Sequence, residues 1–368
     1  MYKRYKNGEI TAIQSFIILI SIMIGTGVLG LSKAVAEVSR QDAWISVLLN
    51  GIFIGFVMMI IIYTVSRFPK YNFFQYTSHL LGKLLGYLIT FSFVIYAILV
   101  TATVIRFLSE MISTWLLQSS PLFVINLIIV ATVVYMVKNG ITVLARYNEV
   151  IIFMLIPFAL LILVGLPEAS FVNLRPVGGT GITTIIKGAT PSFFSFAGYE
   201  VLLVYYPYIS NKQQPIMRNS VVAVLFVTLF YTASVAAQIA LYGPQEIKHV
   251  LYPSINYLTS VDFPVFERVE IFFTIFWVFT VLGTIGIQYL AGCILLQNVF
   301  SNKKTSFFAY ILSPIVYVIT LYPQSTRDVI DLGDTVGKAN IFFGLIFPLI
   351  IFVLYFIRGR KPRYEKNN

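Results

Sequence analysis

Residues 24–31 read Ile24-Gly25-Thr26-Gly27-Val28-Leu29-Gly30-Leu31, inside an apolar run that carries no charge between Glu9 and Lys33. Three glycines in so short a hydrophobic stretch need a reason, since each costs a helix interior roughly 0.5–1 kcal/mol relative to alanine. A helix broken there leaves backbone N–H and C=O groups unpaired. A membrane interior tolerates such groups only where they are buried in protein or line a cavity. The surroundings are those of a membrane: of 368 residues, 58% are hydrophobic and 11% charged, outside the range of a soluble domain.

A helix needs about 20 apolar residues to cross the hydrocarbon layer, so uncharged intervals mark the spans. They run 10–32, 43–66, 84–105, 111–137, 150–167, 188–211, 219–245, 271–302, 305–326 and 339–357, with only Glu200 inside the sixth. The expectation is an all-α integral membrane protein of ten transmembrane helices. The third is expected to pass Arg106 toward Trp115, and Pro121 to open the fourth. The basic start MYKRYKNGEI precedes an apolar run too long for a signal-peptide core, which predicts a retained first span. The termini and the loops on their side hold 17 Lys/Arg against 3 acids; the opposite side holds 9 against 12. By the positive-inside rule both termini are cytoplasmic. The basic balance is thereby a topology signal, which argues against nucleic acid. The tail from Arg358 to Lys366 is a stop-transfer flank, with contact to anionic membrane lipid as the alternative.

Residues 1–368 read as one permease-like domain made of two weakly similar halves, about 10–165 and 181–357. Span 43–66 corresponds to 219–245, 84–117 to about 263–296, 121–137 to 306–322, and 144–165 to 336–357. KYNFFQYTSHLLG and LYPSINYLTSVDF, the segments before the third and eighth spans, both read as short amphipathic surface helices. Five spans per half is an odd number, so the second half is inverted, the architecture of secondary transporters, whose first helix in each half is discontinuous. The counterpart of the glycine break is then FFSFAGYEVLLVYYP, Phe193 to Pro207, with Ala197-Gly198-Tyr199 followed by Glu200. Close helix packing through small residues is the alternative reading of either motif.

The candidate residues follow from this. A half-helix N-terminus at Gly25, Thr26, Gly27 and Val28 offers unpaired donors to a carboxylate. Glu200 is the only acid deep in a span, either a protonatable coupling site, a partner for a cation, or a carboxyl capping the freed N–H groups. Thr26, Ser195, Tyr199, Thr280, Thr284 and Gln288 are candidates for a central cavity, or else bond their own helices. Arg106 and Glu110, spaced i,i+4, and Glu267, Arg268 and Glu270 on the symmetry-related helix are candidates for an outer gate, with structural ion pairs as the alternative. The aromatic wall of Phe193, Phe194, Phe196 and Tyr199 beside Glu200 favours a neutral, aliphatic amino acid over a dianionic one. GxSxG, HExxH and GxxxxGK[ST] are absent, and His79 and His249 lie in connectors, so neither an enzyme nor a metal or other cofactor is expected. The single Cys293 gives no disulfide framework.

IGTGVLGL, NLRPV (Asn173–Val177), GYEVLLVYYPY (Gly198–Tyr208), YPSINYL (Tyr252–Leu258) and FERVE (Phe266–Glu270), in this order over nearly the whole chain, resemble the B subunits of nutrient germinant receptors of endospore-forming bacteria. That spore germination permease family lies within the amino acid/polyamine/organocation superfamily, whose fold is LeuT-like. The resemblance implies residence in the spore inner membrane, binding of an L-amino acid or related nutrient, and action with a membrane-anchored A subunit and a lipoprotein C subunit. It also implies a ligand carboxylate at the first break and an amine near the second, at Phe196, Ala197, Gly198, Tyr199 and Glu200. Three readings stay open: a nutrient sensor, a secondary amino acid permease coupled to protons through Glu200, and a passive channel.

Overall fold

The computed structural model describes residues 8–210, 215–259 and 269–358, and among these the chain is helical with no strand. The helices are α1 (Ala12–Met23), α2 (Leu31–Ser39), α3 (Ala43–Ser66), α4 (Phe73–Leu81), α5 (Lys83–Trp115), α6 (Leu122–Val137), α7 (Ile141–Ile151) and α8 (Leu155–Val164). After a long connector come α9 (Ile182–Ser192), α10 (Leu202–Tyr205), α11 (Ile216–Glu246), α12 (Pro253–Thr259), α13 (Val269–Val299), α14 (Thr305–Leu321), α15 (Thr326–Asn340) and α16 (Phe347–Arg358). Five helical stretches are long and apolar enough to cross a membrane, Leu31–Ser66, Lys83–Trp115, Ile216–Glu246, Glu270–Val299 and Thr326–Arg358, and shorter apolar helices pack among them. The chain is a helical membrane protein.

Several expected boundaries hold. Helix α5 runs through Arg106 to Trp115, Pro121 caps α6, and the two aromatic connectors form α4 and α12. Two boundaries differ. Helix α7 begins at Ile141 and carries Arg146 and Glu149, and α15 begins at Thr326 and carries Asp328, Asp331, Asp334 and Lys338. In α15 a reciprocal cap starts the helix, with the Ser325 side chain on the Asp328 N–H and the Asp328 carboxylate on the Ser325 N–H. The charged stretch is therefore helix, and one of its faces lines a cavity.

Prolines inside or beside helices remove the N–H that would pair with the carbonyl four residues earlier. In this fold those carbonyls become docking points for distant side chains. Pro244 frees the Ala240 carbonyl, which accepts from the Ser170 N–H at 2.9 Å and Asn173 Nδ2 at 3.0 Å. This explains Asn173 of the NLRPV stretch: it ties the connector before α9 to α11. Pro207 frees the Leu203 carbonyl, which accepts from the Tyr76 hydroxyl of α4 at 3.2 Å. Pro348 frees the Gly344 carbonyl, where the segment Ile341–Ile346 widens into a π-turn, and the Tyr199 hydroxyl donates to it at 2.9 Å. The connector is held a second time by fully buried Asp42, whose carboxylate accepts from the Gly178 and Thr180 N–H groups and the Thr180 hydroxyl at 2.7–2.9 Å.

The first and last described segments are each tied to another part of the chain. The Ile10 N–H donates to the Tyr208 carbonyl at 2.9 Å, and Arg358 Nη1 donates to the Leu80 carbonyl at 3.2 Å. The termini themselves, with the basic tail, lie outside the described residues.

Candidate functional site

Helix α1 stops at Met23 because Ile24 (ψ 68°) and then Gly25 (φ −105°, ψ −135°) leave the helical region; a 3-10 turn over Thr26–Leu29 and Gly30 then lead into α2. The carbonyls of this break are taken by side chains from other helices. Thr284 Oγ1 donates to Ser21 O (2.9 Å), Trp277 Nε1 to Gly25 O (3.2 Å), Ser195 Oγ to Gly27 O (3.1 Å) and Ser254 Oγ to Val28 O (2.8 Å). The Tyr231 hydroxyl lies 2.6 Å from Met23 O and 3.0 Å from Ser195 O, so it bridges both breaks. The donors are treated differently. Among the described residues no acceptor is bonded to the backbone N–H of Thr26 or Gly27. The break thus presents hydrogen-bond donors and few acceptors, the polarity that suits an anionic group.

The second break follows α9. A 3-10 turn over Phe194–Phe196 gives way to extended Ala197 and then to Gly198 at φ +113°, after which Tyr199–Val201 and α10 resume. Glycine is required at 198 twice over: the φ is one that other residues rarely adopt, and a Cβ there would stand 2.7 Å from Ile22 Cγ1. Glu200 is fully buried and reaches back to its own break, Oε2 accepting from the Gly198 N–H at 2.8 Å. Its Oε1 accepts from the Tyr96 hydroxyl at 2.8 Å, and Asn340 Nδ2 donates to the Tyr96 oxygen at 2.9 Å. Glu200 therefore joins the break to α5 and to the end of α15.

Between the breaks, α2, α5, residues 251–252 and α15 lies a cavity of about 390 Å3, within the range of small-molecule sites. Its lining includes Thr26, Gly27 and Ser195 at the breaks, Lys33, Ala34 and Glu37 along α2, and Thr103 and Phe107 of α5. Gly30, Leu31, Pro191, Phe194, Leu251, Tyr252, Val329, Ile330, Gly333 and Asp334 complete the walls. Burial, and then the nearby Glu110 carboxylate, push the Tyr252 hydroxyl up to about 12, so it stands neutral on the wall.

Of the residues singled out in the sequence, Thr26, Gly27, Phe194 and Ser195 meet at this cavity. Phe196, Ala197, Gly198, Tyr199 and Glu200 pack behind the second break and are not among its lining. Gly25 and Val28 offer their carbonyls to Trp277 and Ser254, and Gly25 rests against Thr284. Thr280 bonds the Phe276 carbonyl of its own helix, and Gln288 is buried. Arg106 and Glu110 pair at 3.6 Å, and the partners they take are on the α14–α15 junction: Arg106 donates to Pro323 O at 3.2 and 3.3 Å, and Thr326 donates to Glu110. Glu270 is buried on α13, and Glu267 and Arg268 lie outside the described residues.

Sequence reasoning missed Tyr231, Trp277, Ser254, Lys33 and Asp334. The first three cap carbonyls from helices far away in the chain, and an aromatic or serine inside an apolar span carries no signal of its own. Tyr231→Phe removes the hydroxyl that bridges the breaks; we expect a stability loss of about 1–2 kcal/mol, read as a lower unfolding midpoint of the purified protein with its helical content unchanged.

The profile of the family described as Spore germination protein matches residues 9–329. The chain is 29% identical over 359 residues to spore germination protein YndE of Bacillus subtilis (strain 168), covering 96% of this chain and 98% of that one. It is 28% identical over 363 residues to spore germination protein A2 of the same organism, covering 96% and 97%. It is 29% identical over 280 residues to spore germination protein GerQB of Bacillus cereus, covering 76% and 77%. The match runs through both breaks and every wall of the cavity as far as Val329, and the chain belongs to the spore germination protein family.

Proposed function

We propose that this chain is the nutrient-binding, B-type subunit of a germinant receptor in the spore inner membrane, and that it senses a neutral L-amino acid. The observation that carries the reading is that Thr26 and Gly27, whose backbone N–H groups have no acceptor among the described residues, line a cavity of about 390 Å3. They are the carboxylate site. The ligand's amine turns to the second break, where Phe194 and Ser195 line the same cavity. Its side chain lies against Phe107, Phe194, Leu251 and Tyr252, an apolar wall that suits a neutral side chain, while Glu37 and Asp334 stand exposed.

The fold we assign to this role is a ten-helix, 5+5 inverted repeat of the LeuT-like kind, with both termini cytoplasmic. In it α1–α8 and α9–α16 are the halves, each opening on a broken helix and each carrying a short surface helix, α4 or α12. Closure of the cavity on ligand is passed to the A subunit and the C lipoprotein. A secondary permease is the second reading, since broken helices also serve transport; Glu200 is not among the cavity lining, so proton coupling through it finds no support.

The test has two arms. Purified protein in lipid nanodiscs is screened by thermal shift against L-alanine, L-valine, L-leucine, L-asparagine, L-glutamate and glucose, and spores lacking the chain are scored for germination on whatever binds. A neutral amino acid that binds wild-type protein and no longer triggers the deletion spores supports the reading. Tighter binding of glutamate or glucose than of every neutral amino acid overturns the ligand class, and accumulation of labelled ligand in vesicles by this chain alone favours the permease.

A further inference from the structure

Two walls of the cavity, α2 and residues 251–252, are joined on their far side by a buried chain of hydrogen bonds that ends on the first break. Ser32 Oγ of α2 donates to Gln238 Oε1 at 2.5 Å. Gln238 Nε2 donates to Ser234 Oγ at 2.9 Å and to Ser254 Oγ at 3.1 Å. Ser254 Oγ, in the first turn of α12, donates to the Val28 carbonyl at 2.8 Å. All four side chains are at most 7% exposed. The direction of each bond is fixed, because the amide oxygen of Gln238 can only accept and its nitrogen can only donate.

We infer that Gln238 is a positioning residue of the ligand site. One amide accepts from α2 and donates to Ser234 of its own helix α11 and to Ser254 of α12, and Ser254 in turn donates to the carbonyl of Val28, the residue after Gly27. Lys33 and Ala34, just after Ser32, are on one cavity wall, and Leu251 and Tyr252, just before Ser254, are on another. Gln238 therefore sets the spacing of these walls and the orientation of the peptides that present the Thr26 and Gly27 N–H groups. A space of about 20 Å3 beside it, with Ser234, Gln238 and Ser254 on a lining that is otherwise mostly apolar, has room for one water molecule. The role in ligand binding rests on the reading that ligand sits at the first break.

The experiment reads wall position first and ligand second. Ala34, half-buried on the cavity wall, is replaced by cysteine in the full chain in nanodiscs; Cys293, the sole native cysteine, is buried. The rate of labelling by a charged methanethiosulfonate is compared among Gln238, Gln238→Leu, Gln238→Glu and Ser254→Ala backgrounds. Gln238→Leu and Ser254→Ala are expected to speed labelling by about threefold or more, the factor that one lost hydrogen bond brings to an opening equilibrium. Gln238→Glu separates positioning from bulk packing. A protonated carboxyl still accepts from Ser32 and donates to Ser254, whereas an ionised one only accepts and draws the Ser254 hydroxyl away from Val28. Labelling in Gln238→Glu, taken relative to the same cysteine with Gln238 intact, is expected to be near unity at about pH 5 and to rise about threefold by about pH 9.

A ratio that stays at unity across this range, with Ser254→Ala also unchanged, overturns the inference. L-valine is then titrated against the same variants, and its dissociation constant is expected to rise in step with labelling. If labelling responds and L-valine binds neither wild-type nor variant protein, the positioning of the walls stands and the ligand reading falls. If wild-type protein binds L-valine and the variants bind it equally, Gln238 has no part in the site.

Discussion

Gly27→Val is expected to abolish ligand binding while leaving a helical protein in the membrane. A Cβ at position 27 would stand 2.5 Å from Ser195 Cα and 2.8 Å from Ser195 Oγ. The first of these is backbone, so no rotamer change relieves it. The two breaks must separate, and the Ser195–Gly27 and Tyr231 bonds that hold them together are lost with that movement. Overpacking of this kind costs about 1–3 kcal/mol, small beside the burial of a whole helical bundle, so folding survives and the site does not. Gly55→Ala, where nothing lies within 4 Å of the added methyl, is the control expected to be silent. Size-exclusion behaviour and circular dichroism report the fold, and ligand-induced thermal shift reports the site; a wild-type dose response in Gly27→Val would remove the site from this break.

Glu200 gives the second large effect, through the contrast between two substitutions. In Glu200→Ala the Gly198 N–H and the Tyr96 hydroxyl lose their buried partner together, at about 1–3 kcal/mol for each orphaned group. Loss of folded protein, or a break that no longer binds ligand, is the expected result. Glu200→Gln is expected to be nearly silent. Its oxygen accepts from Gly198, its nitrogen donates to the Tyr96 oxygen, and the Asn340 amide, whose Nδ2 faces that oxygen in the wild-type arrangement, turns over so that Tyr96 donates to its Oδ1. The hydrogen-bond chain reverses and stays complete. A carboxylate that worked by titrating would behave otherwise, since glutamine would then remove the pH dependence of the ligand response. An alanine variant with normal stability and normal binding would exclude both roles.

Much of this was legible in the chain because the decisive features are covalent. Glycines at 25, 27 and 198 mark where the helices break, and each proves to be a point of close approach or of positive φ. The charge-free intervals locate the long helices. What was not legible depends on which surface a helix turns inward. Residues 326–338 carry enough charge to read as a loop, yet they form an amphipathic helix whose Val329, Ile330, Gly333 and Asp334 line the cavity. Arg106 and Glu110 read as a candidate outer gate, and the bonds that tie α5 to Pro323 and Thr326 could not be read from their i,i+4 spacing. Glu200 was recognisable as costly, but its reach back to Gly198 and across to Tyr96 was not. Three of the donors that silence the break's carbonyls, Tyr231, Trp277 and Ser254, come from α11, α13 and α12, and sequence distance hides them.

The measurement closest to the central claim is whether binding depends on the ligand's carboxylate. Purified wild-type protein in nanodiscs is titrated with each L-amino acid that stabilises it and with the corresponding amine, identical except that the carboxylate is replaced by hydrogen. The donor-only break predicts that the amino acid raises the unfolding midpoint in a saturable way and that the amine does not, at concentrations up to about 100 times the amino acid's dissociation constant. Equal stabilisation by the amine would contradict it, because the unpaired N–H groups of Thr26 and Gly27 would then have no part in holding the ligand.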